Sequence, residues 1–192
     1  GKINIDMSKN HIGLMSLSSH KVFGPKGVGA LFIRRKNPRI SLEPIIHGGG
    51  QEKGFRSGTI NVPGIVGFGV AAEKEKKNII TNQKRIKHIK SQFIVFFNQY
   101  KAIINGDKNG SNHILNIRIP KLKASELIKQ TRNIGYSLGS ACNSESLRPS
   151  HVLIAMGLNE DDCKASFRLS FSHHTTDEEI KNACIVFKKA LS

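Results

Sequence analysis

The chain has 192 residues, 38% of them hydrophobic, and 30 Lys and Arg against 14 Asp and Glu, a formal net charge of +16. That apolar content can bury a core in one or two domains, and no apolar run approaches the ~20 residues needed to span a bilayer. Cys142, Cys163 and Cys184 have no CxxC spacing and are odd in number, which argues against a zinc knuckle or a disulfide framework and leaves free thiols.

In chain order, Gly1 to Asp6 lacks the apolar stretch of a secretory signal, so a cytoplasmic location is expected. Short apolar runs then alternate with glycine clusters: Leu14 to Leu17, Val28 to Ile33, and Pro44-Ile45-Ile46 before His47-Gly48-Gly49-Gly50. This pattern predicts short strands joined by tight loops. Pro63, suited to a first helical turn, opens a proline-free stretch to Tyr100 that predicts one long helix or two consecutive ones. The stretch is a natural join between two domains, 1–78 and 79–192. Strands are predicted at 102–104, 114–119 and 166–171, and a helix at 125–132. Thr176-Asp177-Glu178-Glu179 has capping-box spacing, and Ile180, Cys184, Phe187 and Leu191 then recur on one helical face, which predicts a C-terminal helix with Cys184 in its apolar seam. Strands and helices alternating in this way indicate an α/β sandwich.

The basic excess raises the question of a nucleic-acid partner. The densest stretch, Lys74 to Lys90, is mixed with Glu73 and Glu75 and has no interleaved aromatic residues, as a solvated helix face would. Direct nucleic-acid binding is therefore not expected, and an acidic protein partner fits the charge at least as well.

Two segments carry chemistry. In Ser16-Leu17-Ser18-Ser19-His20-Lys21-Val22-Phe23-Gly24, a lysine at a strand end follows hydroxyls and a histidine and precedes a glycine-rich turn. Such an amine suits Schiff-base formation beside a phosphate site, with partial burial lowering its pKa, and Ser18 and His20 can donate to phosphate oxygens. The same residues also fit a surface turn with a solvated lysine. In Gly139-Ser140-Ala141-Cys142-Asn143-Ser144 a thiol sits among small residues that permit a mobile loop, as a transferring thiolate requires.

Ser18-Ser19-His20-Lys21 with Gly24-Pro25-Lys26-Gly27-Val28-Gly29 resembles the cofactor-lysine segment of class V aminotransferase-like enzymes, specifically the cysteine desulfurases. The resemblance continues through His47-Gly48-Gly49-Gly50-Gln51-Glu52 with Arg56-Ser57-Gly58-Thr59, through the Cys142 loop with Leu147-Arg148-Pro149-Ser150, and through Phe167-Arg168-Leu169-Ser170. Four motifs in order cover nearly the whole chain and resemble the C-terminal half of that family. The resemblance implies the fold-type-I pyridoxal-phosphate architecture, represented by the end of the large cofactor domain and the small C-terminal α/β domain. It further implies Lys21 as the amine that binds pyridoxal 5'-phosphate, Ser18 and His20 on its phosphate, and Thr59 reaching the phosphate of the other subunit of a homodimer. Arg168 would clamp the L-cysteine carboxylate and Cys142 would receive the sulfur, which passes to an iron-sulfur scaffold or RNA-thiolation carrier as L-alanine leaves. No metal is implied. The family's ring-stacking histidine and pyridinium-pairing aspartate are not among these residues, so a fragment with exposed sheet faces and poor activity on its own is expected. Ser172 and His173 stand where relatives commonly have glycine and arginine.

Two other readings compete. Gly135-Tyr136-Ser137-Leu138-Gly139 matches GxSxG, with Asp161 or Asp162 and His173 or His174 in the chain order of a serine hydrolase, but a helix-like segment precedes Ser137 where an elbow needs a strand. The third reading is a non-catalytic, truncated subunit that dimerises or docks a sulfur acceptor through its basic surface.

Overall fold

The computed structural model of the protein describes residues 1–107, 109–138 and 149–192, in two compact units, Gly1–Ile79 and Ile80–Ser192. In the first unit, β1 (Leu14–Ser18) and β2 (Gly29–Ile33) pair antiparallel, with Leu14 opposite Ile33 and Ser18 opposite Gly29. Leu14, Leu17 and Leu31 are 45%, 38% and 52% exposed, so the hairpin does present apolar side chains outward, as expected. Arg34 secures the segment before β1: its Nε donates to the Ile12 carbonyl at 2.8 Å, and its guanidinium also donates to the carbonyls of Met7, at 2.6 Å, and Asn10.

The strand expected at 44–46 does not form. Pro44 has no N–H to give a ladder, and the Ile46 carbonyl instead accepts from the Ser57 N–H at 3.2 Å, closing a loop that contains a short 3-10 turn at Gln51–Gly54. Helix α1 (Val62–Asn98) is a single run of 37 residues, matching the long-helix alternative, and the boundary between the units falls within it.

The second unit is built on an antiparallel sheet in the order β3 (Ile103–Ile104), β4 (Ile114–Arg118), β5 (Ser166–Ser170). Leu115 lies opposite Leu169 and Ile117 opposite Phe167, all buried, so one sheet face is apolar. Against this set pack Ile86, Ile89, Phe93 and Phe97 of α1, Ala124 and Leu127 of α2 (Ala124–Gln130), and Ile180 and Phe187 of the last helix. Phe97 meets Phe167 and Phe187 edge-on, with ring centres 5.5 and 5.2 Å away, the geometry aromatic quadrupoles favour. Two five-residue helices that the sequence reading did not anticipate, α3 (His151–Ala155) and α4 (Glu160–Lys164), precede β5, and Cys163 is buried in the second. The C-terminal helix α5 (Asp177–Leu191) starts with the expected capping box: Thr176 Oγ1 accepts from the Glu179 N–H at 3.1 Å, and Glu179 Oε2 accepts from the Thr176 N–H at 2.7 Å. Cys184 is only partly buried and packs on the edge of the core rather than within it.

Candidate functional site

Strand β1 delivers Ser18 to the start of a single 3-10 turn, Ser19–Val22, which carries His20 and Lys21. The turn is tight. Phe23 closes it in the left-handed region at φ 63°, and the Gly24 N–H donates to the Ser19 carbonyl at 3.0 Å. A Cβ at Gly24 would stand 2.2 Å from Ser19 Oγ and 3.2 Å from Ala71 Cβ, so only glycine fits there. Lys21 and His20 are exposed and Ser18 is half-buried. The partial burial expected for Lys21 is thus not supplied by its neighbours in this unit. Ser18 occupies the cap position without spending its hydroxyl on a cap bond, and Ser19 Oγ is buried without a hydrogen-bond partner. Among the described residues no hydrogen bond is shown to these two hydroxyls, the imidazole or the amine, four consecutive residues whose donor set fits a ligand bearing an aldehyde and a phosphate.

The second loop of this unit is braced from inside. Buried Ser57 donates from Oγ to the Gly49 carbonyl at 2.5 Å, Gln51 Oε1 accepts from the Gly58 N–H at 3.0 Å, and the Arg56 guanidinium donates to the Ser57 carbonyl at 3.1 Å. Gly58 has φ +105°, a backbone that side chains rarely adopt. Together these bonds present Thr59 on the surface. The role of Ser57 was not anticipated, although its place between Arg56 and Gly58 in a glycine-rich loop is the signal that could have found it.

In the second unit, Arg168 lies in β5 on the face opposite the apolar core. Its backbone is locked from one side by Ser137: the Arg168 N–H donates to the Ser137 carbonyl at 2.7 Å and the Ser137 N–H donates back at 3.1 Å. The Arg168 Nε is buried and has no acceptor. Cys142 lies outside the described residues. Cys163 and Cys184 are both free thiols pushed up in pKa by burial, Cys163 further so by Asp162 and Glu160, which makes them poor nucleophiles. His173 and His174 place their ring centres 4.0 Å apart in the turn after β5. Among the described residues no cluster suited to a metal is present, and no helix is long and apolar enough to cross a membrane.

The hydrolase constellation is not assembled. Ser137 sits in extended backbone bridged to β5 with α2 before it, Asp162 pairs with Arg118 at 3.5 Å, and Asp161 pairs with Lys164 at 3.6 Å.

The chain is 41% identical over 196 residues to the cysteine desulfurase IscS of Glaesserella parasuis, an alignment that takes in 100% of this chain and 48% of that protein. The cysteine desulfurase IscS of Escherichia coli K12 matches at the same identity and coverage. The chain thus spans about half the length of the curated relatives it matches. Among solved structures, a NifS-like protein superposes with a TM-score of 0.84 at 30% identity over 99% of this chain and 49% of that one. The NifS-like protein of Rickettsia africae gives 0.83 at 30% over 98% and 50%. The aminotransferase class-V model matches residues 1–183. With the lysine turn on its hairpin and the arginine on its sheet, the chain belongs to the aminotransferase class-V family and has the fold-type-I architecture of its pyridoxal-phosphate enzymes.

Proposed function

We propose that this chain carries the working residues of a cysteine desulfurase, which takes sulfur from L-cysteine onto its own Cys142 and leaves L-alanine. The observation that carries the reading is the Ser18–Lys21 turn, where an exposed amine directly follows an exposed imidazole and the Ser18 hydroxyl makes no cap bond. Identity of 41% to proteins named cysteine desulfurase supports the choice among class-V activities.

Lys21 would hold pyridoxal phosphate through its amine, with Ser18 and His20 donating to the phosphate. When bound, that group supplies an electron sink for charge developing at the substrate Cα. Arg168 binds the substrate carboxylate through the planar fork of its guanidinium. Lys21 Nζ moves the proton at the substrate Cα. Cys142, as thiolate, attacks the substrate sulfur; the sulfur–carbon bond breaks, a proton replaces sulfur on Cβ, and Cys142 keeps the sulfur as a persulfide. L-cysteine and one thiol thus become L-alanine and one persulfide, with no external oxidant.

Thr59 would reach the phosphate of a second subunit in a two-fold homodimer, a reading supported by its exposure on a braced loop. The persulfide passes to an acceptor protein for iron-sulfur cluster assembly or RNA thiolation, in the cytoplasm. The unit Gly1–Ile79 is the end of the large cofactor domain, and Ile80–Ser192 is the small domain. A non-catalytic subunit that docks a sulfur acceptor is the second reading, favoured by the exposed Leu14, Leu17 and Leu31 of the hairpin.

The test is to reconstitute a full-length form that adds the family's ring-stacking histidine and pyridinium-pairing aspartate to this chain, supply L-cysteine and pyridoxal phosphate, and measure L-alanine together with the mass of the Cys142 peptide. Gain of one sulfur atom on that peptide, lost in Lys21→Ala, Arg168→Ala and Cys142→Ser, is the expected result. Alanine formation that survives Lys21→Ala refutes the proposal, whereas unmodified Cys142 with no alanine favours the docking subunit.

A further inference from the structure

The stretch of chain that leads toward Cys142 is fastened to the strand of Arg168, and a tyrosine makes the fastening. Ser137 and Arg168 exchange both backbone bonds, at 2.7 and 3.1 Å, and among the described residues this is the one position where residues 134–138 pair with β5. By the alternation of extended chain, Ser137 shares a face with Arg168 while Tyr136 and Leu138 point to the other face, where both pack against the core. The Tyr136 ring centre lies 5.5 Å from that of Phe167, the neighbour of Arg168 in β5, and 5.5 Å from that of Phe187 in α5.

The Tyr136 hydroxyl has a defined direction. Thr131 ends α2 and is fully buried, and its Oγ1 donates to the Leu127 carbonyl at 2.9 Å. A threonine hydroxyl has a single hydrogen, so in the 2.7 Å contact between the two side chains Tyr136 donates and Thr131 Oγ1 accepts. Burial pushes the Tyr136 pKa up, against the smaller lowering by its bond to Thr131, and the group therefore stays a donor at neutral pH. The Ile134 N–H donates to the Thr131 carbonyl at 2.9 Å and closes the turn that follows α2. Residues 134–138 are thus clipped to the end of α2 by Tyr136 and to β5 by Ser137.

The two sides of the Ser137–Arg168 bridge are unequally held. β5 pairs with β4 at five positions, whereas 134–138 pairs with β5 at one. When the tyrosine is loosened, it is 134–138 that shifts, and Arg168 stays with β4. The ring also fixes the register, because a slip of one residue moves the chain by about 3.4 Å and turns Tyr136 to the polar face. Cys142 lies further along the same chain, outside the described residues, so 134–138 is the stem from which it starts.

We infer that Tyr136, clipped by Thr131, is a positioning residue for the sulfur-accepting step: it holds the stem that leads to Cys142 in register with the strand of Arg168. The inference rests on the reading of Cys142 as sulfur acceptor and Arg168 as carboxylate clamp. It commits to a split that general destabilisation does not share, because the thiol step slows while binding of L-cysteine is kept.

The experiment compares Tyr136→Phe, which keeps the ring and drops the hydroxyl, with Tyr136→Ala, Thr131→Val and Thr131→Ser. In the chain itself, amide hydrogen exchange is followed at Ser137 and Arg168, with the Phe171 N–H, bonded to the His113 carbonyl at 2.8 Å, as the reference within the β4–β5 pair. Tyr136→Phe and Thr131→Val are expected to speed exchange at Ser137 roughly fivefold and to leave Phe171 within about twofold. In the reconstituted full-length form, kcat and the single-turnover rate of sulfur gain by Cys142 fall roughly fivefold in both variants and tenfold or more in Tyr136→Ala, with KM for L-cysteine within about twofold. Thr131→Ser, which keeps the hydroxyl, has wild-type rates. Wild-type rates in Tyr136→Phe and Thr131→Val, or a KM that rises in step with the loss of kcat, overturn the inference; these two variants decide the matter if Tyr136→Ala does not fold. Cys142→Ser separates the two levels: if L-alanine still forms at the wild-type rate in that variant the acceptor reading itself fails, and if it is lost there but kept in Tyr136→Phe and Thr131→Val only the role of Tyr136 fails.

Discussion

Replacing Phe97 by alanine tests whether the second unit is held by the aromatic junction. Phe97 is 1% exposed and its ring touches those of Phe93, Phe96, Phe167 and Phe187, so α1, β5 and α5 all lose a neighbour at once. Truncating a fully buried phenylalanine costs about 3–5 kcal/mol, from lost transfer energy and the cavity left behind. Against a typical domain stability of about 5–15 kcal/mol this is a large fraction. With a urea dependence of about 2 kcal/mol per molar, the unfolding midpoint falls by roughly 2 M. Circular dichroism at the helix band is the assay, since both tyrosines report on local packing and the chain has no tryptophan. Ile185→Ala is the control, because Ile185 is 57% exposed on α5 and its truncation stays within about 1 kcal/mol. A midpoint in Phe97→Ala no lower than that of Ile185→Ala refutes the packing argument.

Other outcomes follow from single sites. Gly24→Ala drives a methyl group into Ser19 Oγ, so the turn that carries Lys21 must shift; trapping of pyridoxal phosphate on Lys21 falls while the circular dichroism spectrum of the chain is unchanged. Thr176 holds the Glu179 carboxyl below its ordinary range through backbone and then side-chain hydrogen bonds. Because the folded pKa is the lower one, the stabilisation is present above the unfolded glutamate pKa and is lost as pH falls through the folded value. Melting temperature therefore drops on acidification, and Thr176→Ala flattens that dependence; an unchanged pH profile contradicts the cap's role. Cys163 and Cys184, with pKa raised by burial, react slowly with iodoacetamide at pH 8 in the folded chain and at the rate of a free thiol in denaturant. Equal rates in the two conditions contradict their placement.

Helix α1 was legible because no proline falls between Pro63 and Pro120, and α5 was legible from Thr176 and Glu179. Pro44 to Ile46 misled because an apolar run needs a partner strand, and the loop bond from Ser57 took that place. Helices α3 and α4 are each five residues long, too short for periodicity to register, and Cys163 owes its burial to one of them. The order Ser18, His20, Lys21 pointed to the turn, but exposure of the amine depends on what lies around it and is not set locally. Arg168 was legible as a residue but not its setting. The alternation Leu115, Asn116, Ile117, Arg118 marks a polar sheet face, yet only register shows that Asn116 stands opposite Arg168.

The most direct measurement of the central claim is to incubate the chain with pyridoxal phosphate, reduce with borohydride and map the modified lysine by mass spectrometry. Modification concentrated on Lys21 is the result the account predicts; labelling spread across the surface lysines, with Lys21 no more modified than Lys74 or Lys84, would contradict it.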